Sequence, residues 1–163
     1  MAKHRGLELS TRDVNSPLSF QSVVETLETT TAASYQWVLL FVDLQADLGD
    51  RRVADLMDEV NSGPRAYRTN LDELRKIGEA TQVLYEVLFA GSPTLVPTER
   101  ERATNNRGQF AVVVYGLEGF LWEVFAEQQD VVRKLEARFA AEPTVKIGSP
   151  RVDIEGEPIN DQR

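Results

Sequence analysis

Between Phe110 and Phe139 apolar residues return at steps of three and four: Phe110, Val113, Val114, Leu117, Leu121, Val124, Val131, Leu135 and Phe139. This is the spacing of one face of an α-helix. It predicts a single helix over 108–141, roughly 50 Å long at 1.5 Å per residue. That is more than a compact domain of this size uses internally. The second half, with Asp130, Arg133, Lys134 and Glu136 on its outer side, is therefore expected to present Val131, Leu135 and Phe139 to a partner.

The rest of the chain reads in the same idiom. Ser16-Pro17 is a helix-start signal, followed by Phe20, Val23, Val24 and Leu27 at helical spacing and by Thr29-Thr30-Thr31, where a break is expected. Tyr35 to Leu48 includes Trp37-Val38-Leu39-Leu40-Phe41-Val42, apolar on every side, and periodicity alone leaves helix and buried strand open. The stripe Tyr35, Val38, Val42, Gln45 and the Leu48-Gly49 end favour helix. Val53, Leu56, Met57 and Val60 give a short amphipathic helix closed by Asn61-Ser62-Gly63-Pro64. A longer helix is expected from about Tyr67 to Ala90, with Arg68/Asp72 and Asp72/Lys76 as i,i+4 pairs, and Gly91-Ser92-Pro93 ending it. Within the connection 92–107, Thr98 and Glu101 have capping-box spacing, which predicts a short helical turn.

Both ends read as arms. Residues 1–15 show neither a 3.6 nor a 2.0 period. Residues 142–163 contain two alternating segments, Thr144-Val145-Lys146-Ile147 and Arg151-Val152-Asp153-Ile154, joined by Gly148-Ser149-Pro150. They predict a small β-hairpin or an extended arm that offers Val145, Ile147, Val152 and Ile154 to a neighbour. The expected architecture is all-α: a bundle-like domain of four or five helices over 16–141, with one long C-terminal helix and arms at 1–15 and 142–163.

Composition bears on function mainly by exclusion. The chain has no cysteine and one histidine, His4, which removes disulfides, thiolate nucleophiles, cysteine-ligated metals and nearly all imidazole chemistry. Eighteen basic against 26 acidic residues give a net charge of −8, so nucleic-acid phosphates and anionic lipid are not expected partners. No apolar h-region follows the basic N-terminus, and Glu118 and Glu123 interrupt the apolar stretch Phe110 to Ala126, so neither a secretory signal nor a membrane span is expected. A cytoplasmic or virion setting follows. Arg65, Arg68, Arg100, Arg102 and Arg107 form a candidate basic patch, of the kind used by small helical subunits of RNA-guided effector complexes, with Glu99 and Glu101 interleaved.

Two carboxylate patterns carry the chemistry that remains. In VLLFVDLQADLGD an apolar run ends in Asp43, and this segment resembles the first strand and aspartate turn of isochorismatase-like hydrolases. The resemblance implies a general-base role for Asp43, in a family that also needs a cysteine nucleophile this chain lacks. Glu25-x-x-Glu28 followed by Asp47-x-x-Asp50 places two pairs at i,i+3, a spacing able to hold Mg²⁺ between facing helices. It is similar to the E-x-x-E and E-x-x-D pattern of all-α nucleotide pyrophosphohydrolases. That resemblance spans 25–50, departs at Asp47, where a longer glutamate is usual, and implies metal-dependent hydrolysis.

With no nucleophile–base pair, phosphate loop or zinc cluster, and with a long helix and two arms to occupy, the sequence predicts a non-catalytic assembly subunit without a cofactor. Its partners are expected to be itself or other protein subunits, as in a connector or coat component of a virus or phage particle. The pyrophosphohydrolase and the RNA-complex subunit are the alternatives.

Overall fold

A computed structural model of the chain describes residues 3–95 and 98–159. It corrects the all-α, helical-bundle expectation. Helix and strand each account for about 34% of the chain, and the strands form one seven-stranded antiparallel sheet. In chain order the elements are β1 (Arg5–Thr11), α1 (Phe20–Leu27), β2 (Gln36–Ala46), α2 (Val53–Ser62), β3 (Tyr67–Thr69), α3 (Leu71–Ala80), β4 (Thr81–Ser92), α4 (Arg100–Asn105), β5 (Val112–Leu117), β6 (Leu121–Ala126), α5 (Gln129–Ala140) and β7 (Val145–Gly148). Across the sheet the order is β3-β2-β4-β5-β6-β1-β7.

The helix predicted over 108–141 is a β-hairpin followed by a helix. Val112 to Leu117 and Leu121 to Ala126 pair directly, Leu117 opposite Leu121 and Val112 opposite Ala126. The reversal at Leu117–Phe120 is closed by the Phe120 N–H donating to the Leu117 carbonyl at 3.1 Å. Its central residues, Glu118 (φ 53°) and Gly119 (φ 71°), both have positive φ, the conformation of primed hairpin turns. The apolar residues fit a helical period because the groove-facing positions of this hairpin, Val113, Leu117, Leu121 and Phe125, are nearly as apolar as its core-facing ones, which leaves few polar positions to reveal a period of two. Only α5 keeps the predicted helical face, and there Val131, Leu135 and Phe139 are fully buried against the chain's own sheet.

The predicted helix at 35–48 is β2, and the run Leu39-Leu40-Phe41-Val42 has a specific reason to look aperiodic. A register shift between Leu39 and Phe41 places Leu40 and Phe41 together on one face, with Leu39 and Val42 on the other. The predicted helix from Tyr67 to Ala90 is three elements: the short edge strand β3, then α3, then the long strand β4. Asn70 caps α3, its side chain accepting from the Glu73 N–H at 2.8 Å. Of the predicted charge pairs, Lys76–Asp72 forms at 3.0 Å, while Arg68 lies on β3.

The expected break at the threonines coincides with the end of α1, followed by a 3₁₀ turn at Thr31–Ser34. α1 itself begins later than Ser16-Pro17 implies. Ser19 is its cap, in a reciprocal arrangement with Ser22. α2 forms as predicted, and α4 supplies the short helix expected after Pro93, with Glu99 at its N-cap and no side-chain cap from Thr98.

Neither end is an arm. Residues 5–11 form β1, which lies between β6 and β7 inside the sheet, and Leu7-Glu8-Leu9-Ser10 shows the alternation of such a strand. Residues 145–148 pair with β1 rather than with residues 151–154, so the predicted hairpin does not form. Residues 1–2 and 160–163 of the expected arms lie outside the described residues.

Four helices, α1, α2, α3 and α5, cover one face of the sheet and build the main core. At its centre Phe20 stacks on Phe89 at 5.8 Å and meets Trp122 at 5.8 Å, and Trp37 meets Phe89 at 5.7 Å. Each tryptophan lies over the glycine opposite it in the sheet, Trp37 over Gly91 and Trp122 over Gly116. A Cβ at either glycine would come within 2.6 Å of the ring, so these glycines are where the indoles fit. At the β3 edge, the side chain of Asn61 exchanges two hydrogen bonds with the Val42 backbone, at 3.0 and 2.7 Å, and closes β2 where β3 stops.

The other face is covered only in part. α4, Phe110 and the tail after β7 pack on Val38, Leu40, Leu88, Ala90, Val113 and Phe125. The tail crosses the sheet as a self-closed strap: Val152 bridges Pro158, and the Asp153 side chain accepts from the N–H groups of Glu155 and Glu157, each at 3.0 Å.

Candidate functional site

Between the strap and the uncovered end of β4, β5, β6 and β1 lies a groove of about 480 Å³. Alternation of side chains along the strands determines its floor. From β1 come Glu8 and Ser10, from β5 Val113, Tyr115 and Leu117, and from β6 Leu121, Glu123 and Phe125; Glu86 of β4 joins them. The opposite faces of these strands, with Leu7, Leu9, Val114, Trp122 and Val124, point into the main core.

One row across the sheet defines the site. Tyr115 pairs with Glu123, and Glu123 with Glu8, each directly opposite the next. Two carboxylates directly opposite one another repel. Glu123 is only 5% exposed, with its carboxyl oxygens reaching the groove, and among the described residues no protein group donates to either carboxylate. Burial pushes the Glu123 carboxyl above the ordinary glutamate range, the neighbouring Glu8 charge adds to the effect, and the Arg107 guanidinium works against it. The Tyr115 hydroxyl donates to Glu86 Oε1 at 2.8 Å. Burial, then the Glu86 and Glu123 charges, hold that phenol far above its usual range, so it remains a neutral donor.

The strap and the 3₁₀ turn that follows α4 form the wall. The Glu155 carboxylate accepts the backbone N–H groups of Arg107 at 3.0 Å and Gly108 at 2.8 Å, anchoring the strap to the short 3₁₀ turn at Arg107–Gln109. Gly156, at φ 83°, lies directly under the Arg107 guanidinium, where a Cβ would meet Nη1 at 3.0 Å. Arg107 Nε donates to the Thr104 carbonyl at 3.2 Å, which fixes the side chain along the wall. Ile154 and Val152 line the same side.

The residues singled out in the sequence lie elsewhere. Glu25 is exposed on α1 and accepts from Gln21 at 2.8 Å. Glu28, at the end of α1, pairs with Arg75 of α3 at 3.0 Å, and that arginine also engages Asp72 and Glu79. Asp47 and Asp50 are in the loop after β2, where Asp47 accepts the Gly49 N–H at 3.0 Å. They are not on a helix facing α1, and among the described residues no three acidic or imidazole side chains converge on a metal position. Asp43 is exposed within β2 opposite Glu86 rather than at a strand end.

Of the arginines, Arg100 donates to the Gly63 carbonyl at 3.0 Å and Arg107 belongs to the groove. Val145 and Ile147 pack on the main core, Val152 and Ile154 on the second cluster. His4 contacts the Phe110 carbonyl at 2.6 Å, away from the groove. Among the described residues no helix is long and apolar enough to cross a membrane.

Sequence reasoning missed Glu8, Glu123 and Tyr115. The signal was a single glutamate in the otherwise apolar run Phe120-Leu121-Trp122-Glu123-Val124-Phe125-Ala126, which reads as a membrane-span breaker under a helical assignment and as a buried carboxyl under a strand assignment. Compared with known proteins, the chain matches no family model, and no curated protein or solved structure is found similar to it.

Proposed function

We propose that this chain is a binding domain for a small polar molecule, held in the groove between the strap and the row Tyr115, Glu123, Glu8. The observation that carries this reading is Glu123: a side chain only 5% exposed on a groove floor, opposed by a second carboxylate and, among the described residues, without a protein donor. Partial desolvation makes its charged form costly in the empty fold. A cleft that sets apolar side chains beside convergent polar groups and a perturbed carboxyl is a candidate small-molecule site.

The long helix and the two arms that gave the assembly reading its shape argument are a hairpin, a core helix, two strands and the strap, so that reading draws no support from shape. The metal-dependent hydrolase reading needed two facing helices for its carboxylate pairs, and Asp47 and Asp50 are on a loop.

The test is amide chemical-shift mapping with a panel of small amines, polyols, sugars and carboxylates. Binders are expected to shift Ser10, Tyr115, Leu121 and Glu123 together. If no compound of any class moves these amides at millimolar concentration, or if all responses lie outside the groove, the reading fails.

A further inference from the structure

Resting on that reading, we infer that the groove's ligand is an alkylammonium compound, its charged nitrogen held between Glu8 and Glu123 and its hydrocarbon part lying along Leu121, Leu117 and the Tyr115 ring. The charge balance of the lining comes first. Five carboxylates and two guanidinium groups face the groove, and the protein already engages three of the carboxylates. Glu86 accepts from Tyr115, Asp153 from the strap's own backbone, and Glu155 from the Arg107 and Gly108 amides. Glu8 and Glu123 remain, adjacent across one strand pair, with acceptor oxygens and no donors among the described residues. An ammonium group carries three N–H donors and a full positive charge, which satisfies both needs at once.

The chemistry around the pair narrows the class further. A bare divalent cation requires several hard oxygen ligands around one point, and no such grouping occurs among the described residues. The rest of the floor beside the carboxylates is aliphatic and aromatic, with Leu117, Leu121, Val113 and Phe125 next to the Tyr115 ring. A carbon chain bearing a cation gains apolar contact with these side chains while its nitrogen stays at the carboxylates. Anionic ligands meet the opposite conditions. An anion would meet Arg107 and Arg151 on the wall but the two carboxylates on the floor, where the strand row places its polar group.

The experiment compares n-butylammonium, 1,4-diaminobutane and spermidine with n-butanol, butyrate and Mg²⁺, by calorimetry and by thermal shift on the full chain. The three amines are expected to bind and raise Tm by linkage, and the comparators are expected to do neither. Glu123→Gln and Glu8→Gln should each weaken amine binding about tenfold or more. Glu123→Gln should do so while melting higher than the parent in the absence of ligand, an outcome that a merely structural glutamate would reverse.

Equal binding of butanol or butyrate, undiminished amine binding in Glu123→Gln, or no amine binding at millimolar concentration would each overturn the amine assignment. If sugars or carboxylates then shift the groove amides, the binding-domain reading survives without it. If nothing does, both fail.

Discussion

Glu123 makes the binding proposal testable without any ligand, through the pH dependence of stability. Its carboxyl is held above the ordinary glutamate range mainly by burial, so between the unfolded and the folded pKa the native chain binds more protons than the unfolded one. Stability from this group therefore falls as pH rises through that window, and the full penalty is present above the folded value. Glu123→Gln removes the titration. It is expected to melt higher than the parent near neutral pH, and the gap should close as pH drops below the normal glutamate range, about pH 4. Paired melting curves from pH 4 to 8 check this, and a Glu123→Gln protein that is less stable than the parent at pH 7 would show that the carboxylate is satisfied in the fold.

At the scale of elements, the strap is the least conventional part of the molecule, and it depends on few contacts. Val152 and Ile154 rest on the second cluster, while Glu155 ties the strap to the Arg107 and Gly108 amides. Replacing Glu155 with alanine removes both acceptors and is expected to cost about 1–3 kcal/mol, the range for stranding donors of this kind. Because the strap lies outside the main core, the loss should be local. Amide exchange at Arg107, Gly108 and Asp153 should speed up at least tenfold while Phe89 and Val114 keep their protection; uniform acceleration across the sheet would show that the strap is integral to the global fold.

The element scale is also where the sequence misled. α2 and the break after α1 were legible because their apolar positions have one clear face and their ends carry turn residues. β2, β5 and β6 were not, since each is apolar on both sides and the 39–41 bulge disturbs what alternation remains. The glycines at 116 and 119 in a supposed helix were the available warning, one fitting a tryptophan ring and the other a left-handed turn. Of the groove's lining, Arg107 was named in advance as part of a basic patch and Val152 and Ile154 as apolar contacts for a neighbour. The site's carboxylates could be recognised only after the strands were, because facing the groove is a property of the sheet's alternation.

The whole molecule is closed by its first strand. β1 is inserted between β6 and β7, so the sheet is complete only when the N-terminal residues meet the last third of the chain. Leu7 and Leu9 are buried in the main core, and β7, which carries Val145 and Ile147 onto the same core, pairs with β1 alone. Removing residues 1–12 therefore withdraws two core side chains, unzips β6 along its full length and leaves β7 without a neighbour. Among the described residues, removing 149–163 takes away the strap alone and opens the groove.

The two truncations should behave differently in urea, followed through Trp37 and Trp122, both fully buried in the main core. The chain lacking 149–163 is expected to unfold cooperatively at a modestly lower midpoint. The chain lacking 1–12 is expected to show no cooperative transition, since the penalty combines lost burial with an unpaired strand edge. The same connectivity places full-length folding in the millisecond-to-second range of sheets built from non-local pairings. A cooperative transition near the parental midpoint in residues 13–163 would mean that β1 joins a sheet already stable without it.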